Sequence, residues 1–170
     1  MKLTLVAGST LVLNERSGHV IRLALDEKFS VDEVVPIEAN AIKSGSYIGT
    51  AARSWPDGTL RAIEVLVFPE PARGSGEGHP PWDLEPGSTL THASVAERAA
   101  APQGGTLTLR HKDGEKTVIV PDDVPIVTVK PGDKALLVPG AKVLVMATQR
   151  DGKPVALRAI AGREGFAPPM

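Results

Sequence analysis

The chain repeats itself. Leu11-Val-Leu-Asn-Glu-Arg-Ser-Gly18 returns as Leu107-Thr-Leu-Arg-His-Lys-Asp-Gly114. Gly45-Ser-Tyr-Ile-Gly-Thr-Ala-Ala-Arg53, followed by Asp57-Gly58, returns as Gly140-Ala-Lys-Val-Leu-Val-Met-Ala-Thr148, followed by Asp151-Gly152. The spacing between the copies is nearly constant, so two copies of one small unit set the architecture. Turn residues recur at matching places: Ser17-Gly18 with Asp113-Gly114, and Asp57-Gly58 with Asp151-Gly152. Between the turns lie short alternating runs such as Ile21, Leu23 and Leu25, which share one face of a strand. The 17 glycines and 15 prolines punctuate these runs, which is the pattern of many short strands. About five or six strands in each copy is the size of a small closed barrel, and closure removes the edges that invite aggregation. The expectation is an all-β protein: two tandem OB-like small β-barrels from an internal duplication, residues 1–68 and 90–170, joined by a Pro/Gly-rich structured loop over 69–89.

Some local readings are less regular. Residues 26–43 fit no single element: Ser30-Val-Asp-Glu33 is a loose match to the capping box of a short helical turn, and Pro36 argues against a long helix. Met146 lies in an apolar run and is read as core, not as a copper ligand. Tyr47, Trp55 and Trp82 are read as core or hairpin cover. His19 and His111 stand beside turns and are read as surface residues.

Composition removes several function classes. A net charge of −1 and a pI near 6.4 provide no basic field for nucleic acid or anionic lipid. The chain has no cysteine, which excludes disulfides, thiolate metal sites and cysteine nucleophiles. No apolar run approaches the roughly 18 residues of a membrane span. Met1-Lys-Leu-Thr-Leu-Val6 is too short for a signal peptide, so the expected location is cytoplasmic, or periplasmic if a leader has been removed.

The segment from Pro69 to Ser88 belongs to neither copy. Unlike a plain Gly/Ser spacer it carries Arg73, Glu77, His79, Trp82 and Asp83. Pro80-Pro81 gives it a stiff path, and a long loop inside a compact protein is usually functional. Its Gly74-Ser-Gly-Glu-Gly78 run lacks the lysine and the following helix of a phosphate loop. Glu77, His79 and Asp83, with His92 nearby, offer an imidazole-and-carboxylate set for a divalent ion. Their spacing matches no specific metal signature. Serine, histidine and aspartate are all present, but no nucleophile-elbow sequence occurs.

This central segment also carries a family resemblance. Arg73-Gly-Ser-Gly-Glu-Gly-His-Pro-Pro-Trp-Asp-Leu-Glu-Pro-Gly-Ser-Thr-Leu-Thr-His-Ala-Ser-Val95 resembles the signature of small exported bacterial proteins built from a β-rich domain of unknown function. Asp57-Gly-Thr-Leu-Arg-Ala62, Leu136-Leu-Val-Pro-Gly140 and Gly165-Phe-Ala-Pro-Pro-Met170 are similar to it as well. Such relatives more often carry Arg at the place of Pro80, Met at Leu90 and Asn at His92. The resemblance implies a periplasmic or envelope location. Some members bear labels naming metal-transporter permeases, which this chain's lack of any spanning segment contradicts.

The sequence thus points to a non-catalytic binding or scaffolding protein of the bacterial envelope, with a protein or small-molecule partner and no nucleic acid. Arg73, Glu77, His79, Trp82 and Asp83 would form the recognition surface, with Trp82 as the hydrophobic anchor. No cofactor is expected in that reading. The alternative is a divalent-metal-binding protein or metal-dependent hydrolase using His79, Glu77, Asp83 and His92.

Overall fold

A computed structural model describes residues 1–15, 17–82, 86–101 and 104–168. In chain order its strands are β1 (Lys2–Ala7), β2 (Thr10–Asn14), β3 (Val20–Pro36), β4 (Tyr47–Ser54), β5 (Leu60–Val67), β6 (Pro81–Trp82), β7 (Ser88–Ala101), β8 (Gly104–His111), β9 (Gly114–Val120), β10 (Ile126–Pro131), β11 (Val143–Arg150) and β12 (Lys153–Ala161). Among the described residues the only helices are short 3-10 turns, including Ala39–Ala41 and Lys134–Leu136, and none is long and apolar enough to cross a membrane. The protein is all-β, as expected.

The turn chemistry read from the sequence makes the hairpins. Trp55-Pro-Asp-Gly58 joins β4 to β5, with the Trp55 N–H donating to Thr59 O at 2.8 Å and Gly58 at φ 82°. Asp151-Gly152 joins β11 to β12 with both residues at positive φ, 51° and 73°, as a two-residue hairpin turn of the primed type requires.

The chain divides into two compact units that interleave in sequence: Met1–Val35 with Val129–Pro168, and Pro36–Thr128. These units and the repeat boundaries 1–68 and 90–170 are different divisions of the chain. The reason is strand pairing. In the first unit β1, β2 and β3 form an antiparallel meander, and β12 lies parallel along β3 from Val155↔Ala24 to Ala161↔Glu33. β11 pairs with β12, and the segment entering β11 returns to β1, where the Leu3 N–H donates to Ala141 O at 2.7 Å. Leu3, Leu11, Leu13, Leu23, Phe29, Val31 and Val143 fill this core.

The second unit is a closed five-stranded barrel. β4 pairs antiparallel with β5, β5 parallel with β9, β9 antiparallel with β8, β8 with β7, and β7 with β4. Ile48, Ala52, Val65, Ala93, Val95, Leu107, Leu109, Val118 and Val120 face inward. Leu11 and Leu13 are fully buried in the first core, and Leu107 and Leu109, which stand at the matching places of the similar sequence stretch, are fully buried in the second.

Two local expectations change. Residues 26–36 are strand, because Phe29, Val31 and Val34 are buried while β12 pairs alongside, so Ser30 caps no turn and the short helical turn of this stretch falls at Ala39–Ala41. Met146 is exposed: Val143 is buried and Val145 packs against the core, so the alternation of β11 turns Met146 outward.

The first unit also buries two acids, Asp32 and Glu33. Arg163 grips Glu33 with two bonds of 2.6 and 3.1 Å, Lys130 stands 3.6 Å from it, and Arg158 pairs with Asp32. Hydrogen bonding from Arg163 holds the Glu33 carboxyl below the usual range.

Candidate functional site

The loop after β5 is pinned to the barrel of the second unit along its length. Arg73 donates two hydrogen bonds to the Glu70 carboxylate, at 2.6 and 2.9 Å, and a third to Gly45 O at 2.8 Å. The Tyr47 hydroxyl donates to Ser75 O at 3.1 Å. Gly78 and His92 exchange backbone bonds of 3.0 and 2.9 Å, the Leu90 N–H donates to Pro80 O, and β6 pairs with β7 through Pro81↔Thr89 and Trp82↔Ser88. The segment from Gly78 to Trp82 therefore runs as an added strand beside β7, and its backbone polar groups are met there.

His92 explains the glycine run. Its Nδ1–H donates to Ser75 O at 3.0 Å, and the ring meets Phe68 edge-on at 5.1 Å between centroids. A Cβ on Gly49 would come within 2.9 Å of this ring, and one on Gly76, at φ 65°, within 2.8 Å. The ring occupies the space that two glycines leave open, so the loop is shaped to seat an imidazole. The other ring nitrogen, Nε2, is buried with no hydrogen-bond partner among the described residues.

His79 sits elsewhere, between Thr91 of β7 and His111 of β8. Its Nδ1 lies 2.6 Å from the buried Thr91 hydroxyl, and its ring stacks on His111 with centroids 6.2 Å apart and planes at 18°. His111 is not a surface turn residue as the sequence suggested: it is 7% exposed. It follows Leu107 and Leu109 at alternate positions of β8, and that periodicity, unlike its closeness to the turn, points inward. His19, its counterpart beside the first-copy turn, is exposed. The His111 Nδ1 accepts the Asp113 N–H at 3.3 Å, so the neutral ring carries its proton on Nε2, which is buried and has no partner among the described residues.

The residues expected to act together are thus dispersed. Arg73 is committed to the loop's own fold. Glu77 is exposed, close enough to Tyr47 to act with burial in raising the phenol's pKa. Trp82 is half-buried, its Nε1 without a partner among the described residues. His92 is a seat for the loop. Asp83 lies outside the described residues. Among the described residues no group of three or more His, Asp or Glu side chains could hold a metal ion.

What the structure offers beside His79 is a cleft of 610 Å³. Ser54, Gly58, Thr59 and Leu60 of the β4–β5 turn form one wall, and Thr106, Glu115, Lys116, Thr117 and Ile119 of the β8–β9 hairpin form the other. The Glu115 carboxylate is taken by Arg110 at 2.6 Å.

Both site histidines favour the neutral form. Burial is the largest cause in each case, and Lys116 and His111 add to it at His79. A folded-state pKa below the ordinary value of 6.5 means that the unfolded chain takes the proton first as the solution acidifies. The stabilisation is complete above about pH 6.5 and is lost as pH falls below it. The unfolding midpoint is expected to start dropping as pH falls below about 6.5, above the range where carboxylates titrate. His92→Gln should flatten that slope, and a variant as pH-sensitive as the wild type would refute the assignment.

No protein-family model, curated protein or solved structure matches this chain.

Proposed function

We propose that this protein is a non-catalytic binding module built from two OB-like barrels that exchange strands, with its ligand cleft beside His79. An OB barrel pairs its strands one to two, two to three, three to five in parallel, five to four, and four back to one. β7, β8 and β9 match strands one to three in the second unit, with β4 and β5 as strands four and five. β1, β2 and β3, with β11 and β12, give the same order in the first unit. Each barrel then takes three strands from one copy of the repeat and two from the other. The 3-10 turns at Ala39–Ala41 and Lys134–Leu136, each ahead of a matching hairpin, support this correspondence.

The cleft is the observation that carries the binding reading. OB barrels bind ligands on the face of strands two and three and on the loop between four and five. In the exchanged assignment these are β8, β9 and the β4–β5 turn, the walls of the 610 Å³ cleft. That volume lies within the roughly 300–1,000 Å³ of small-molecule sites. One lysine and no tryptophan, tyrosine or phenylalanine line it, which suits a small polar ligand better than a nucleic acid strand, which needs stacking rings and a basic groove. The central loop contributes His79 and otherwise serves as a cover. An envelope location rests on the family resemblance.

Thr117 is exposed on the cleft wall, so Thr117→Trp should fill the cleft without disturbing the core. Polar fragments that bind the wild type by ligand-observed NMR are expected to lose binding to the variant. Fragments that bind both proteins equally would place the ligand site elsewhere and overturn the proposal.

A further inference from the structure

We propose that Lys116 and His79 form an oxyanion subsite in this cleft, taking the carboxylate or phosphate group of a small-molecule ligand; the proposal rests on the cleft being a binding site. Both side chains line the same cavity. Lys116 has no ion-pair partner among the described residues, and the one carboxylate in the cleft wall, Glu115, is bound by Arg110. A lysine whose neighbouring acid is already neutralised keeps its charge for a ligand.

His79 supplies a directed donor. The Thr91 hydroxyl is fully buried, and its hydrogen-bond partner among the described residues is His79 Nδ1, at 2.6 Å. If the hydroxyl donates, its proton is satisfied and the ring proton lies on Nε2. The opposite tautomer would leave a buried hydroxyl proton without an acceptor. The Nε2–H is then left for the cleft. The Lys116 charge is close enough to help keep the His79 ring neutral, so the two groups act on one another and can act on one anion. Beneath them the His111 Nε2–H is a second buried donor without a partner, stacked under the His79 ring. Three donors gathered together, two of them lining a cavity, are complementary to an anion. Thr59, Thr106 and Thr117 add hydroxyls around the same space.

The test is a titration of the full-length, ¹⁵N-labelled protein at neutral pH with sodium phosphate, sodium acetate and acetamide in turn, at ionic strength matched with sodium chloride. Saturable shifts are expected at the His79 ring nitrogens and at the amides of Thr106, Lys116 and Thr117 with at least one of the two anions. Phosphate alone would identify a phosphate site, and acetate a carboxylate site. Lys116→Gln should weaken binding by at least about tenfold. Lys112→Gln, an exposed lysine in the turn of the same hairpin, removes the same charge outside the cleft and should leave affinity unchanged. Equal weakening by the two variants, or no saturable shift with either anion, would overturn the subsite. Acetamide separates the two readings: if neutral acetamide shifts the cleft while the anions do not, the cleft binds ligands and only the oxyanion assignment fails.

Discussion

Leu109→Ala is expected to destabilise the barrel by about 2–5 kcal/mol, a large part of the 5–15 kcal/mol that holds a typical domain together. Leu109 has no exposed surface and packs among Ile48, Val65, Val95, Leu107 and Val118. Truncation removes the transfer free energy of the lost methyl groups and leaves a cavity that a closed barrel cannot collapse to fill. Both tryptophans of the chain, Trp55 and Trp82, belong to the same unit, so intrinsic fluorescence in urea follows this core. The midpoint should fall with the slope against urea unchanged. Leu13→Ala, at an equally buried leucine, lies in the other core and should cost a similar amount by circular dichroism while changing the fluorescence transition less. A cost below about 1 kcal/mol for Leu109→Ala would mean that the leucine is not the core residue its burial indicates.

Much of this fold can be read from the sequence because its signals are local. Asp57-Gly58 and Asp151-Gly152 mark hairpins by the positive φ that a tight turn needs, and Leu11-Val-Leu13 and Leu107-Thr-Leu109 mark inward faces by alternation. Partner choice is not local. The similar stretches of the sequence have the same apolar pattern, so β9 or β3 could satisfy β5 equally well by pattern alone, and the parallel pairing of β5 with β9 joins residues far apart in sequence. The site is legible in the same uneven way. His79 stands out as a loop histidine amid prolines. His111 does not, because its closeness to a turn masks its place in the Leu107, Leu109 alternation. The role of His92 as the ring seated between Gly49 and Gly76 depends on contacts across strands that no spacing encodes. Lys116 and the β4–β5 turn entered the site only when β5 and β9 came together.

Residues 36–128 made alone are expected to fold, although they cut across the expected boundaries 1–68 and 90–170. This stretch contains all five strands of the closed barrel, the pinned loop and the 610 Å³ cleft, and its core cluster draws every member from within those bounds. Every barrel strand keeps both of its neighbours, so the fragment presents no open barrel edge to aggregate. A chain of this size can bury enough surface to be stable without disulfides or metal. The repeat copy 1–68 offers a contrast: it keeps β4 and β5 but removes β7 and β9, which flank them. Dispersed amide resonances and a cooperative fluorescence transition for 36–128, close to that of the same unit in the full chain, are the expected result. A fragment that is unfolded or aggregates would show that the barrel depends on residues outside this span, and the exchanged arrangement would have to be abandoned as a description of an independent domain.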